Sequence, residues 1–163
     1  MCLRRCDYVR LYLDTNIILD WFRNVMVNVK KPEKFKVPRK LEFLSSQELE
    51  LIVSTITKIE VFRYLKSDWN ANREQIEEIW KRFIESFKIK YLIIEKMDFE
   101  ELSSICLLIP TRKKTLVNLM HLQISKKEDL WFLTGEKRLL DKYKTYYNKS
   151  LSYIELRKRL SSP

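Results

Sequence analysis

The chain has 163 residues, 45% hydrophobic and 33% charged, which suits one globular domain with its own core. Its formal net charge of +10 favours a polyanionic partner, because phosphate neutralisation releases counterions. A single glycine excludes a P-loop or a dinucleotide fingerprint, and a single histidine excludes multi-His zinc sites and argues against an essential histidine base.

No apolar run approaches the ~18 residues of a membrane span. The first apolar stretch, Val9 to Phe22, carries Arg10, Asp14, Asn16 and Asp20, so it lacks the apolar core of a signal peptide. A cytoplasmic location with no membrane partner is the expectation. Three cysteines, an odd number, argue against a secreted disulfide framework. Cys2, Cys6 and Cys106 read as buried or idle thiols, with a Cys2–Cys6 or Cys106 disulfide as the alternative in a hyperthermophile.

Val9 to Leu13 alternates as a strand. Asp14-Thr15-Asn16 breaks it, and Ile17 to Phe22 begins a helix. Residues 24–40 read as a basic loop or insertion, with Pro32 and Pro38 among the lysines from Lys30 to Lys40. A short helix over Arg39 to Leu44 follows. Leu49 to Thr55 is the second strand, and Thr57 to Lys66 the next helix. Asp68 to Phe87 predicts a longer helix, with Ile76, Ile79, Trp80, Phe83 and Phe87 at helical spacing.

Ile89 to Glu95 is the third strand. Asp98-Phe99-Glu100-Glu101 predicts a capping box for a helix running to Ile109. Pro110 to Lys114 reads as a basic turn, Thr115 to Ser125 as a helix and Leu130 to Leu133 as a buried strand. Gly135 to Lys144 is helical, Tyr146-Tyr147 reads as a short edge strand, and a final helix starts at Ser152. Residues 1–163 therefore form one α/β domain, with a mostly parallel sheet and helices on both faces. In such sheets the functional crevice lies beyond the carboxyl ends of the strands, at the topological switch.

Strand-to-helix junctions carry the polar residues that stand out. Asp14 follows the first strand, Glu60 lies in the first turn of the helix after the second, and Glu136 follows Thr134-Gly135 after a later one. Asn118 sits in the first turn of the helix from Thr115. Each has a structural reading. Thr57 to Glu60 fits a capping box, Thr134 is a helix cap with Glu136 near the dipole's positive end, and Asp14-Thr15-Asn16 suits a helix start. Asp14 has the fewest structural reasons to follow a buried strand. Taken together, converging carboxylates repel one another unless a cation neutralises them, and oxygen donors suit Mg²⁺ or Mn²⁺. With the basic surface, that set points to metal-assisted phosphodiester chemistry.

These segments also resemble a known family. Leu11-Tyr12-Leu13-Asp14-Thr15-Asn16-Ile17-Ile18 is similar to the opening motif of PIN domains, including VapC-type toxins. Ser54 to Arg63 resembles their second acidic motif, Asn118 to Gln123 their third, and Phe132 to Lys137 their last. The likeness runs from Tyr8 to Lys142. It implies a PIN-like fold with a five-stranded parallel sheet, and a metal-dependent endoribonuclease. Asp14, Glu60 and Glu136 would hold Mg²⁺ or Mn²⁺, with Asn118 as the fourth catalytic position. Asn16 and Thr134 would support the site, and Arg63 and nearby lysines would hold RNA. The partners implied are RNA, an antitoxin protein and a second copy of the chain.

Two positions depart from the family pattern. Glu136 replaces an Asp and lengthens the reach by one methylene. Asn118 replaces an Asp and removes a charge. The basic clusters supply Lys34, Lys36, Arg39, Arg112 and Lys113 as further RNA contacts, although such residues also suit solvated loops. His121, beside Asn118, reads as a packed or hydrogen-bonded histidine. Trp80 and Trp131 read as core, and Trp21 as core or dimer surface.

Two other classes compete with a nuclease. One is a catalytically weakened PIN-like module that binds RNA or a protein without cutting, which Asn118 favours. The other is a phosphatase or receiver domain using Asp14 as nucleophile or phosphoacceptor. Asn16 stands where such a phosphatase needs a second Asp, and the acidic pair of a receiver is missing.

Overall fold

A computed structural model describes residues 9–94, 100–101, 103 and 113–161. Among these residues five strands form one sheet in the order β3-β2-β1-β4-β5, and every neighbouring pair is parallel. The strands are β1 (Val9–Leu13), β2 (Leu49–Ser54), β3 (Lys90–Leu92), β4 (Trp131–Leu133) and β5 (Ser150–Leu151). The helices are α1 (Thr15–Val27), α2 (Arg39–Ser45), α3 (Thr55–Trp69), α4 (Arg73–Ser86), α5 (Lys113–Lys127), α6 (Lys137–Tyr143) and α7 (Tyr153–Ser161). This is the α/β architecture expected of a PIN-like fold, with helices on both faces of a parallel sheet.

The two-residue period of the strands builds a core on each face. Leu11, Leu13, Leu51, Val53, Leu133 and Leu151 point to one side. There they meet Trp21 and Phe22 of α1, Leu41 and Leu44 of α2, and Trp80 and Phe83 of α4. Tyr12, Ile52 and Phe132 point to the other side, against Leu119 and Leu122 of α5 and Leu139 and Tyr143 of α6. Trp21 is core at 1% exposure, and Phe22 and Trp80 stack in the same cluster. Trp80 is core too, whereas Trp131 is only partly buried.

Four expectations are corrected. The break expected between Lys66 and Asp68 lies later: α3 runs on to Trp69, Asn70, in the left-handed region at φ 50°, ends it, and Asn72 caps α4 in a box with Gln75. The box at the start of α3 is made by Ser54 and Thr57, not by Thr57 and Glu60. Glu60 therefore lies in the second turn of α3, outside the cap. The edge strand is β5, not Tyr146-Tyr147, because Tyr147 turns its hydroxyl inward to the carbonyls of Ser125 and Leu130. The box expected at Ser152 forms with Glu155.

Cys2, Cys6, Cys106, Arg112 and most of the segment from Asp98 to Ile109 lie outside the described residues, although Glu100, Glu101 and Ser103 are helical. Among the described residues no helix is long and apolar enough to cross a membrane.

Candidate active site

The chain builds β1, β2 and β3 outward on one side, then returns to place β4 on the other side of β1. The topological switch therefore lies between β1 and β4, and its carboxyl edge is where Asp14 emerges. Asp14 occupies the cap position of α1, yet its side chain accepts no capping bond from that helix. Its Oδ2 instead accepts from the Thr134 hydroxyl at 2.5 Å and from the Asn16 amide at 2.6 Å. The Asp14 amide donates to the Leu133 carbonyl at 2.9 Å, so backbone and side chain both close the β1–β4 crevice.

Asp14 is only 3% exposed. Burial pushes its carboxyl pKa up, and the charge of Glu60 pushes the same way. His121 and the Thr134 hydroxyl oppose them without reversing the net rise.

The junction after β4 is fastened to the same point. Thr134 Oγ1 accepts the Glu136 amide at 3.0 Å, and Asn16 Oδ1 accepts the Gly135 amide at 2.8 Å. A Cβ on Gly135 would stand 3.0 Å from Asn16 Oδ1. The chain's one glycine is thus explained by close approach.

Glu60 reaches the crevice from α3. Its Oε2 accepts the Thr15 hydroxyl and lies 2.8 Å from His121 Nε2. Burial pushes its pKa up, but His121, the Thr15 hydroxyl and the charge of Arg63 outweigh it, and the net shift is downward. Exposed Arg63 is thereby within electrostatic reach of Glu60.

His121 is 0% exposed and is packed and hydrogen-bonded. Its ring stacks over Phe132 at 17° between planes. Nδ1 lies 2.8 Å from the Tyr12 hydroxyl, which lies 2.6 Å from Ser54 Oγ. Ser54 Oγ in turn accepts the Ile56 amide at 3.2 Å. Tyr12, Thr15 and Ser54 lie inside the first two family-like motifs but had no role of their own in the sequence, because their partners lie far along the chain.

Glu136 is set apart. It is exposed at the cap position of α6, and its Oε2 accepts the Asn118 amide at 2.7 Å. Among the described residues no three His, Cys, Asp or Glu side chains cluster as a metal site. The structure couples Asp14 and Glu60 electrostatically, with Thr15, next to Asp14, bonded to Glu60, and it fastens only the backbone amide of Glu136 to the Thr134 hydroxyl that binds Asp14. A buried carboxylate whose proton affinity is raised by burial and by the charge of a second carboxylate, in a crevice of oxygen donors, fits a hard divalent cation.

Lys34, Lys36 and Arg39 are exposed and stand elsewhere. Because β1 and β2 are parallel, α1 and α2 must carry the chain back from the carboxyl edge to the amino edge. The 13 residues of α1 cover about 20 Å of that path, and these three cations follow it. Lys113 opens α5.

No family model and no curated protein matches the chain. Among solved structures it is similar to a chain of a toxin-antitoxin complex from Klebsiella pneumoniae. The two are 16% identical with a TM-score of 0.57, over 88% of this chain and 97% of that one. At that identity the likeness shows a shared fold.

Proposed function

We propose that this chain is a metal-dependent endoribonuclease, acting as the toxin of a toxin–antitoxin pair or as an RNA-processing factor. The observation that carries the reading is Asp14, buried at the carboxyl end of the central strand and electrostatically coupled to Glu60. The partners of Asp14 are two neutral donors, Thr134 and Asn16, which leave the buried charge unneutralised, and a divalent cation would supply the missing positive charge. The fold shared with a chain of a toxin-antitoxin complex supports a protein partner, and RNA and a second copy of the chain complete the set.

Asp14 and Glu60 would hold Mg²⁺ or Mn²⁺, with Glu136 joining directly or through water. Such a cation lowers the pKa of a bound water and neutralises phosphate charge. Thr134 and Asn16 hold Asp14 in place, and Thr15 holds Glu60. Arg63 offers a phosphate contact beside them. Asn118 orients Glu136 through its amide.

That last bond favours a second reading, a weakened module that binds RNA or protein without cutting, since Asn118 draws Glu136 to itself. End-labelled RNA incubated with purified protein in Mg²⁺, Mn²⁺ or EDTA, beside an Asp14→Asn control, decides between them. Metal-dependent cutting lost in the control establishes the nuclease. Absence of cutting with either metal, or equal cutting by the control, defeats it and leaves the binding module.

A further inference from the structure

Glu60 is held by a buried chain of hydrogen bonds that crosses the second core. An ionised carboxylate only accepts, so the 2.8 Å contact requires a proton on His121 Nε2. In the Nε2–H tautomer Nδ1 is an acceptor, and the Tyr12 hydroxyl donates its hydrogen bond to it. The Tyr12 oxygen accepts from Ser54, whose oxygen accepts the Ile56 amide. Every group in this chain has a partner, and Tyr12, Ser54 and His121 are each 0% exposed. Phe132 beneath the imidazole fixes the plane of the ring.

We infer that His121 is a positioning residue, fixed as an Nε2–H donor by Tyr12 and Ser54, that presents Glu60 to the cation. The role rests on the metal-dependent reading above. It accounts for a fully buried imidazole in the interior of α5 whose one outward bond is to a carboxylate of the site. Outer hydrogen bonds of this kind orient ligands, and their loss costs roughly 10–100-fold in metal affinity.

The chain's single histidine makes the test direct. In protein labelled with ¹⁵N-histidine, every imidazole signal comes from His121. The metal-free wild type should show Nε2 protonated, and Tyr12→Phe should shift the Nδ1 resonance. Mn²⁺ binding, followed by the paramagnetic signal of the free ion, should weaken roughly 10–100-fold in His121→Phe. It should largely recover in His121→Gln, whose amide nitrogen replaces Nε2 as donor.

A ring protonated only at Nδ1 overturns the inference. So does Mn²⁺ affinity unchanged in folded His121→Phe while Asp14→Asn loses it. Wild-type protein that binds no Mn²⁺ overturns the metal-dependent reading and this role with it.

Discussion

The two halves of the candidate site are built differently. Asp14 and Glu60 stand in a crevice where neighbours from the junction after β4, from α1 and from α5 converge on single carboxylate oxygens. Glu136 is exposed and Asn118 half-buried, and they hold each other by one bond at the surface. In the crevice low polarity strengthens each hydrogen bond and makes an unpaired charge costly. At the exposed pair, water replaces a lost bond at little cost. The buried half should therefore be rigid and intolerant of change, and the exposed half adjustable.

The largest expected effect comes from removing the buried charge. Asp14→Asn should reduce RNA cleavage by more than the roughly 10–100-fold typical of an outer-shell change. The same variant tests the electrostatics without any substrate. Asp14's pKa is raised in the fold, so its contribution to stability is greatest below the unfolded value near 3.8 and is lost as pH rises through the folded value. At pH 7 in EDTA the wild type carries that penalty and the variant does not. Asp14→Asn should melt at the same temperature or higher, and Mg²⁺ should stabilise only the wild type. A variant that melts lower in EDTA would mean that Asp14 is a structural residue.

Tyr12→Phe comes next. It strips a buried hydroxyl from His121 and Ser54 and leaves both short of a partner, which costs about 1–3 kcal/mol. Asn118→Ala, at the exposed pair, should stay within about 0.5 kcal/mol. Denaturant unfolding of both variants compares the halves directly, and equal losses would erase the contrast. Gly135→Ala lies between them: its Cβ meets Asn16 Oδ1, the partner of the Gly135 amide, and should loosen Asn16 from Asp14 with a smaller loss of cleavage.

The same contrast explains what the sequence disclosed. β1 and Asp14 were legible because strand alternation stops at a charged residue. The parallel sheet was legible because strands and helices alternate. Glu60 was found by its place after β2, but two overlapping capping patterns competed for Thr57, and only the fold shows Ser54 taking it. The break between α3 and α4 reads too early in the sequence, between Lys66 and Asp68, because apolar spacing continues through the true junction, while the decisive residue, Asn70, is one of the few types that accept a positive φ. β5 was missed because two residues carry no period. His121 looked like core and is core, but its carboxylate partner is 61 residues away, and no local spacing encodes that distance.

Asn118→Asp should have the smallest effect on stability and bears most directly on the exposed half. The substitution replaces an amide donor with a second carboxylate, beside Glu136 where the bond was 2.7 Å. Repulsion should cost a few tenths of a kcal/mol without metal, because solvent screens an exposed pair. Added Mn²⁺ should remove the deficit if the new carboxylate faces the same cation as Asp14 and Glu60, and cleavage should then rise. If Mn²⁺ leaves the deficit untouched and cleavage is unchanged, Asn118 and Glu136 form a surface clamp on α6 and the chemistry belongs to the buried half alone. A gain in both shows that the exposed half is a working part of the site, tuned down by one missing charge.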